Sequence, residues 1–453
     1  MKRFLIALCI PATLALAADK LTAPQLIELA KSNPANLREA LVATLGQERI
    51  HNGTALVGRG PDFIWAVESA SRPVLTIDDA PGPAMQRIAN ANIWYAFGKL
   101  GAGTGHEFEY RIDGKPFGGS KDVAAFGPES YLKPGVPSGK LEHLVHTSKI
   151  YEGMKSDYWI YVPAEYDPNT PAALMVFQDG QGYVRRESEG NVMDVLDNLI
   201  YEKKIPVMIA VFIQPGNVPE GTPIYKELLD LIARMAPSNA RPGAPPPPTR
   251  GQNVRVPQGM IRSLLYDTVS DRYVKFLRNE FLPEAVYSKY NVRKDGYSHA
   301  ISGSSSGGIC AFNAAWQAPS DFSRVLSWIG SFMSIQQAPN YGGQAYPAMV
   351  QRDPIRNIRV WLQDGENDQH TWPMQTLNMA NSLKEHGYDF HLSYGYGTHN
   401  SAQGRAEFPQ SLTWLWRGYD PARTEQAFEQ DPAEAAKPLF RVRVYNRDHG
   451  PEY

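Results

Sequence analysis

The sequence predicts an α/β protein in which a small all-β domain precedes a larger domain built on a mostly parallel sheet. Two patterns along the 453 residues indicate this order. Between about residues 50 and 135, short β-like runs alternate with Gly- and Pro-containing turns about every 8–12 residues, a spacing typical of a β-sandwich. From about residue 145, apolar strand-like runs alternate with helical segments, which favours a parallel sheet covered by helices on both faces.

The first residues have the pattern of an export signal. Lys2 and Arg3 precede an apolar run over residues 4–16, and a small-x-small cleavage motif, ALA, follows at residues 15–17. This pattern predicts a signal peptide over residues 1–17 and a mature protein that is periplasmic or extracellular. The run is too short for a membrane span, and no later segment supplies the apolar length that a membrane helix requires.

The composition argues against several classes of function. The formal net charge is −2, without a long run of one sign, so the sequence lacks the basic face with which a nucleic-acid-binding protein displaces counterions. A polybasic membrane anchor is equally unsupported. Of the two cysteines, Cys9 lies in the signal peptide. We therefore expect no internal disulfide in the mature chain and interpret Cys310 as a small core residue.

A helical segment over residues 18–50 is predicted to lead into a β-sandwich domain over residues 51–140. The strand-like runs of this domain are FIWAV, PVLTI, IWYAF and HEFEYRI. Four aromatic residues of these runs either fill the sandwich core or form a platform on which sugar rings stack. They are Trp65, Trp94, Tyr95 and Phe97.

The larger domain is predicted over residues 141–420, and residues 421–453 are interpreted as a C-terminal extension. Its strand-like runs are DYWIYVP, ALMVFQDG, PVMIAVFI, SHAISG, RVWLQDG and DFHLSYG. An insertion over about residues 218–258 contains ARPGAPPPPTRG, whose prolines exclude helix and sheet and indicate an exposed loop. Because the insertion follows the carboxyl end of a strand, it is either a lid or rim of a ligand site or a solvated surface loop.

Residues 303–307, Gly-Ser-Ser-Ser-Gly, match the pattern G-x-S-x-G. A nucleophilic serine of this kind stands on a sharp strand-to-helix turn, where glycines avoid clashes between the flanking positions. The pattern alone is weak, but SHAISG is a strand-like run directly before it and ICAFNAAWQ is helical directly after it. The context predicts Ser305 as a nucleophile in an α/β-hydrolase fold.

A serine hydroxyl needs a base, and in this fold the base is a histidine late in the chain, just after a strand. His386 falls in a helical segment, His391 in a strand run and His449 in the tail. His399 alone follows a strand run within a glycine-rich loop, which makes it the predicted general base.

The acid that orients the histidine is expected after an earlier strand, between the serine and the histidine in sequence. The run RVWLQDGEND offers Asp364, Glu366 and Asp368 there. Asp364 is too close to the strand, whereas Glu366 and Asp368 are not separated by residue pattern alone.

Two backbone amides are predicted to hold the oxyanion that forms during acyl transfer. One belongs to Ser306, directly after the nucleophile, and the other to Gln181, in the Asp-Gly-Gln-Gly turn after an early strand. Five side chains near the expected mouth of the site are candidates for binding an aromatic or anionic acyl group, with a plain solvated rim as the alternative. They are Tyr183, Arg185, Arg186, His370 and Trp372.

These motifs together resemble the enterochelin-esterase-like branch of the esterase D superfamily, which includes feruloyl and acetylxylan esterases and mycolyltransferases. The resemblance covers about residues 145–418 and is carried by VFQDGQGYV, ISGSSSGGICAFNAAW, VLSWIGSF, the run from RVWLQDGEND to KEHGYDF, YGYGTHN and LTWLWRG. It implies Ser305, Asp368 and His399 as the triad, because family members carry the acid three residues past the glycine that is Gly365 here. The preceding domain is similar to the immunoglobulin-like early-set domains attached to such esterases. The long insertion departs from the family.

The sequence thus predicts an exported serine esterase that acts through an acyl-enzyme on a small-molecule or carbohydrate-linked ester. Siderophore-type esters and cell-wall feruloyl or acetyl esters both fit. An acyltransferase on the same triad and a catalytically silent carbohydrate-binding protein are the alternatives. No cofactor is implied and no metal site, since the Asp, Glu and His residues of GENDQH lack a metal-ligand spacing. The oligomeric state is not predicted.

Overall fold

The computed structural model describes residues 20–235, 256–333, 342–369, 371–438, 444–446 and 450–452. The chain divides into two compact units. The first contains the described residues up to Leu100 together with Phe108–Ser120, and the second contains Gly101–Glu107 and the chain from Lys121 onward.

The first unit begins with the predicted helical segment. Its helices are α1 (Ala23–Ser32), α2 (Leu37–Leu45) and α3 (Gln47–His51). Their apolar faces contribute Leu26, Leu41 and other buried residues to a cluster that also contains residues of the following strands. Amphipathic helices of this length are stabilised by packing of one apolar face rather than by intrinsic propensity.

Two four-stranded antiparallel sheets follow, in the orders β1-β2-β6-β5 and β4-β3-β7-β8. The strands are β1 (Ala55–Arg59), β2 (Asp62–Glu68), β3 (Val74–Ile77), β4 (Ala80–Pro81), β5 (Gln86–Arg87), β6 (Ile93–Lys99), β7 (Thr104–Ile112) and β8 (Lys115–Ala125). Trp65 and Tyr95 are buried and so fill the interior, and Phe97 is partly buried against a core cluster, whereas Trp94 is partly exposed.

The second unit is built on an eight-stranded sheet in the order β16-β15-β14-β13-β11-β12-β10-β9. The strands β9 and β10 pair antiparallel and β10 pairs antiparallel with β12, whereas all other neighbours are parallel. The strands are β9 (Lys140–Thr147), β10 (Lys155–Val162), β11 (Ala173–Gln178), β12 (Met208–Ile213), β13 (His299–Ser304), β14 (Arg324–Trp328), β15 (Arg359–Gly365) and β16 (Asp389–Gly395). Every residue of β11 and β12 is buried, as continuous apolar runs require when both faces are covered.

Helices connect these strands and cover the sheet. They are α4 (Val192–Tyr201), α5 (Pro223–Met235), α6 (Gln258–Tyr266), α7 (Arg272–Phe276), α8 (Ser306–Gln317), α9 (Tyr346–Arg352), α10 (Trp372–Glu385), α11 (Ala402–Leu415) and α12 (Pro432–Ala436). The segment after α7 winds as π-helix over Leu277–Phe281 and Pro283–Tyr287. Cys310 is buried in the main core cluster, as predicted.

The α/β class, with a β-sandwich-like region before an α/β-hydrolase sheet, is confirmed. The first residues of β7 and the last residues of β8 belong to the second compact unit, which contains Gly101–Glu107 and the chain from Lys121 onward. The C-terminal extension contains α12 and the short strands β17 (Val444–Asn446) and β18 (Gly450–Glu452). The predicted signal peptide, the Pro-rich loop from 236 to 255 and His370 lie outside the described residues. Among the helices that are described, none has the length and apolarity to cross a membrane.

Candidate active site

Ser305 stands between β13 and α8 in a backbone conformation that non-glycine residues rarely adopt, with φ 59° and ψ −121°. A side-chain carbon at Gly303 would overlap the backbone of Gly307, so the turn closes only because residue 303 lacks one. Strain of this kind is typical of a nucleophile elbow, which exposes the serine hydroxyl at the carboxyl edge of the sheet.

The Ser305 hydroxyl contacts two side chains. His399 Nε2 lies 2.8 Å from Ser305 Oγ. Ser331, just after β14, places its Oγ 3.3 Å away, and its backbone N–H donates to the Ser305 carbonyl. Sequence reasoning missed Ser331, although it lies in the motif VLSWIGSF that carries the family resemblance.

Asp368 is the carboxylate that faces His399. Its Oδ1 and Oδ2 lie 2.8 Å and 2.9 Å from His399 Nδ1, and the Gln369 N–H donates to Oδ1 at 2.5 Å. The carboxylate is fully buried, so its charge is held by these donors rather than by water. The geometry therefore brings Ser305, His399 and Asp368 into one chain of hydrogen bonds and favours Asp368 over Glu366, whose backbone N–H donates to Gly395.

The Asp179–Gly182 turn lies against the start of α8. Asp179 has left-handed backbone angles, φ 57° and ψ 43°, and begins a short 3-10 turn over Gly180–Gly182. A side-chain carbon at Gly307 would lie 3.0 Å from Asp179 Oδ2, which places this turn beside the nucleophile. First-turn amides have no acceptor within their own helix, and both predicted donors, Gln181 and Ser306, occupy such positions.

An ion pair fixes that turn. Arg262, on α6, donates from Nε to Asp179 Oδ1 at 2.8 Å and from a terminal nitrogen to Oδ2 at 2.7 Å. The same terminal nitrogen donates to the Ser304 carbonyl at 3.2 Å. Burial alone would lower the pKa of Arg262, but the pairing with Asp179 raises it above its ordinary value. Arg262 thus connects the Asp179–Gly182 turn to the end of β13 through a charged side chain.

A second buried carboxyl, Asp267, accepts a hydrogen bond from the Ser306 hydroxyl at 3.1 Å. Burial raises the pKa of Asp267 to about 6, against the opposing effect of hydrogen bonds from Ser306 and Ser263. Sequence reasoning found neither Arg262 nor Asp267, because both lie in α6 or directly after it, beyond the insertion, and no motif marks them.

The residues predicted at the mouth of the site have different environments. Tyr183 is only 6% exposed and packs against Phe177, Phe212 and Trp328, so it is a core residue and not a rim contact. Tyr183 directly follows the 3-10 turn and belongs with these three residues to one buried hydrophobic cluster.

Arg186 is also not a free substrate contact. It pairs with Asp194 at 2.9 Å and donates to the Tyr161 hydroxyl at 2.7 Å, which ties the loop to α4 and β10. Arg185 is exposed. Trp372 is buried with its ring 4.8 Å from that of His399, edge to face, so it packs on the base rather than lining an open rim.

Two further carboxyl groups of this region, those of Asp364 and Glu407, are also buried. Burial raises the pKa of Asp364 well above its ordinary value, and the neighbouring Asp368 charge adds to this effect. Glu407, on α11, accepts from Gln403 at 2.8 Å, and Gln403 in turn accepts from the Gly397 N–H, two residues before His399. No cluster of three or more metal-ligating side chains occurs within the described ranges.

Comparison with known proteins fits this geometry. Residues 255–415, which contain all three members of the hydrogen-bonded chain, match the family model "Putative esterase". The match covers less than half of the chain, and over that segment the chain is similar to this esterase family. The predicted resemblance to esterases and the enzyme class, a carboxylic ester hydrolase, are thereby confirmed.

Solved structures similar to this esterase include two enterobactin esterases and a ferulic acid esterase. The Shigella flexneri enterobactin esterase FES aligns at 16% identity and a TM-score of 0.48 over 79% of this chain and 93% of its own. The ferric enterobactin esterase from Salmonella typhimurium aligns at 15% and 0.48 over 79% and 93%. The ferulic acid esterase AmCE1/Fae1A from Anaeromyces mucronatus aligns at 15% and 0.43 over 64% and 96%. No curated protein sequence matches this chain.

Proposed function

We propose that the protein is an exported serine esterase that hydrolyses carboxylic esters through an acyl-enzyme, with Ser305, His399 and Asp368 as its triad. The observation that carries the proposal is the continuous chain Ser305 Oγ–His399 Nε2–His399 Nδ1–Asp368, with contacts of 2.8, 2.8 and 2.9 Å, at a strained strand-to-helix turn. Nucleophile, base and orienting acid in hydrogen-bond reach are the geometric requirement for this chemistry.

In the first half-reaction, His399 Nε2 takes the proton of Ser305 as Oγ attacks the ester carbonyl carbon. The negative charge that develops on the carbonyl oxygen is held by the N–H groups of Ser306 and Gln181. When the tetrahedral intermediate collapses, the carbon–oxygen bond to the alcohol breaks and His399 returns its proton to the leaving oxygen. The products are the free alcohol and an acyl ester on Ser305.

In the second half-reaction, His399 removes a proton from water as the water oxygen attacks the acyl carbon. Collapse breaks the bond to Ser305 Oγ, which regains the proton from His399, and the carboxylic acid leaves. Asp368 accepts from His399 Nδ1 throughout, so that Nε2 is the nitrogen that exchanges protons and the imidazolium is stabilised.

Ser305→Ala tests the triad. We expect loss of p-nitrophenyl acetate hydrolysis and of covalent labelling by a fluorophosphonate, with Tm nearly unchanged because the hydroxyl contributes little to packing. Ser304→Ala, a change of the same size one residue earlier, is the matched control and should keep both activities. Wild-type turnover in Ser305→Ala would refute the assignment of the nucleophile.

The substrate class proposed from the sequence motifs is a siderophore-type ester or a cell-wall feruloyl or acetyl ester. A screen of the mature protein against these three ester classes identifies the substrate class as the one with the highest kcat/KM, and equal rates on all three would argue against a specialised substrate.

Export is tested by mass measurement of the protein recovered from the periplasm or medium of its native host. Processing after residue 17 is expected, and a full-length chain confined to the cytoplasm would exclude export.

A further inference from the structure

A carboxylate from a distant part of the chain accepts two hydrogen bonds from the residue that precedes the proposed general base. Asp122 Oδ1 accepts from the Thr398 backbone N–H at 2.7 Å, and Asp122 Oδ2 accepts from the Thr398 hydroxyl at 2.6 Å. Both oxygens of one carboxylate are therefore used on a single residue, whose carbonyl group is bonded directly to the nitrogen of His399.

These two hydrogen bonds hold a loop whose own sequence gives it little rigidity. The loop contains Gly395 and Gly397, and glycine restricts backbone angles least of all residues. On another side, Asn367 Nδ2 donates to the Tyr396 carbonyl at 2.6 Å and so ties the loop to the segment that carries Asp368. The Asn367 contact sets the loop relative to the acid, whereas the Asp122 contact sets the residue next to the base.

Asp122 lies near the end of β8, far from the triad in sequence, and its surroundings tie it to the same catalytic unit. Its neighbour Lys121 forms an ion pair with Glu107 at 2.6 Å, and the same Glu107 oxygen accepts from Asn367 at 3.3 Å. The ends of β7 and β8 thus reach both loops, the one that carries the acid and the one that carries the base.

We infer that Asp122 is a positioning residue for the proposed reaction, and that it acts by fixing Thr398 so that His399 stays between Ser305 and Asp368. The inference rests on the proposed function. Charge-assisted hydrogen bonds are short and directional, and two of them on adjacent atoms of one residue restrict both translation and rotation of the backbone there. A shift of about 1 Å at a catalytic group costs on the order of 100-fold in rate.

Asp122→Ala is the principal test. We expect kcat for p-nitrophenyl acetate, and the rate of Ser305 labelling by a fluorophosphonate, to fall about 10- to 100-fold with KM little changed. The split follows because Asp122 touches the loop and not the substrate. Asp157→Ala is the matched control, because it removes a β-strand aspartate of the same unit whose side chain bonds to the exposed His143, and it should leave both rates at wild type.

Conservative variants separate positioning from general stability. Asp122→Asn can still accept the Thr398 N–H and donate to its hydroxyl oxygen, so it should recover most of the lost labelling rate. Thr398→Ser keeps both bonds and should be near wild type, whereas Thr398→Val loses the hydroxyl bond and should fall between wild type and Asp122→Ala.

Non-additivity supplies the last measurement. The double variant Asp122→Ala with Thr398→Val should be only slightly slower than Asp122→Ala alone, because both changes remove the bond between Asp122 and the Thr398 hydroxyl. Thr398→Val also removes a longer hydrogen bond, 3.2 Å, that this hydroxyl accepts from Asn400. Additive losses, or an Asp122→Ala enzyme within twofold of wild type, would overturn the inference. If Asp122→Ala does not fold, Asp122→Asn and Thr398→Val decide it by the same rates. Ser305→Ala without activity beside a fully active Asp122→Ala would refute the positioning role alone, whereas an active Ser305→Ala would refute the proposed function itself.

Discussion

Replacing Glu407 by glutamine should make the protein more stable at alkaline pH and remove a step in its pH–stability profile. Glu407 is buried on α11 and accepts a hydrogen bond from Gln403 at 2.8 Å. Burial raises its pKa to about 7, and hydrogen bonds from Ser393 and Gln403 offset only part of that effect. Glutamine has the same shape and can make both contacts without a charge.

The sign of the effect follows from proton binding. Between the ordinary pKa of 4.5 and the folded value of about 7, the folded state binds more protons than the unfolded state, so stability falls as pH rises. Above pH 7 the loss is complete. At 1.36 kcal/mol per pKa unit it amounts to about 3 kcal/mol. For the second unit, which spans about 340 residues, this corresponds to a Tm difference of about 4 °C.

The assay is thermal unfolding of wild type and Glu407→Gln from about pH 4 to about pH 8.5 at constant ionic strength. The two Tm curves should coincide near pH 4 and separate progressively above it, with the variant about 4 °C higher at pH 8. Glu385→Gln, at an exposed position on α10, is the control and should run parallel to wild type. If the Glu407→Gln curve also runs parallel to wild type over the whole range, the carboxyl does not carry the free energy assigned to it.

Three further predictions address the site. Asp368→Asn should lower kcat on the order of ten-thousand-fold by imposing the wrong imidazole tautomer, whereas Glu366→Gln should change it only a few-fold; the opposite order of severity would make Glu366 the acid. Arg262→Met should lower kcat on p-nitrophenyl acetate by about 100-fold, comparable to loss of one oxyanion donor, because it releases the Asp179 turn; unchanged kcat would show that the turn holds without the ion pair. Replacing residues 236–256 by a short Gly/Ser linker should raise KM on bulky esters but not on p-nitrophenyl acetate if the Pro-rich insertion is a rim of the pocket, and unchanged kinetics on both would leave it no part in recognition.

Features with a local cause could be predicted from the sequence. The Ser305 turn requires glycine at 303, where a side-chain carbon would overlap the backbone of Gly307, and a side-chain carbon at 307 would lie only 3.0 Å from Asp179 Oδ2. The motif is therefore visible in five residues. The buried strands appear as continuous apolar runs because both faces of a parallel sheet are covered. His399 was predicted by elimination, since the other late histidines lie in a helix, a strand and the tail.

The choice of acid needed the backbone. Glu366 and Asp368 lie two residues apart in one turn, and residue type does not tell which carboxylate reaches the imidazole. Only the family resemblance favoured Asp368 from the sequence. In the structure, the Asp368 N–H bonds to Gly365 and the carboxylate reaches His399 Nδ1, because the turn rather than the strand direction decides where the side chain lies.

Long-range partners were not predictable from one sequence. Asp122 is separated from Thr398 by 276 residues, and Arg262 from Asp179 by 83, with no shared motif to connect them. Tyr183 and Arg186 show the converse. Their proximity in sequence to the oxyanion turn suggested a role in substrate contact, but the structure uses the ring in the core and the guanidinium for pairing with α4.

The glycines around the triad explain why its loops can meet at all. A side-chain carbon at Gly365 would overlap the backbone of Gly397, so the acid loop after β15 and the base loop after β16 cross at van der Waals contact. That crossing brings Asp368 and His399 into hydrogen-bond reach, but it leaves the base loop with little conformational restraint of its own. Polar contacts from outside the loop supply the restraint instead. Gln403 holds the amide of Gly397, and Asp122 holds both polar groups of Thr398. Close approach of the two loops thus requires small, flexible residues, whereas a precise position for His399 requires restraint. Glycines within the loop supply the first property, and side chains outside the loop supply the second.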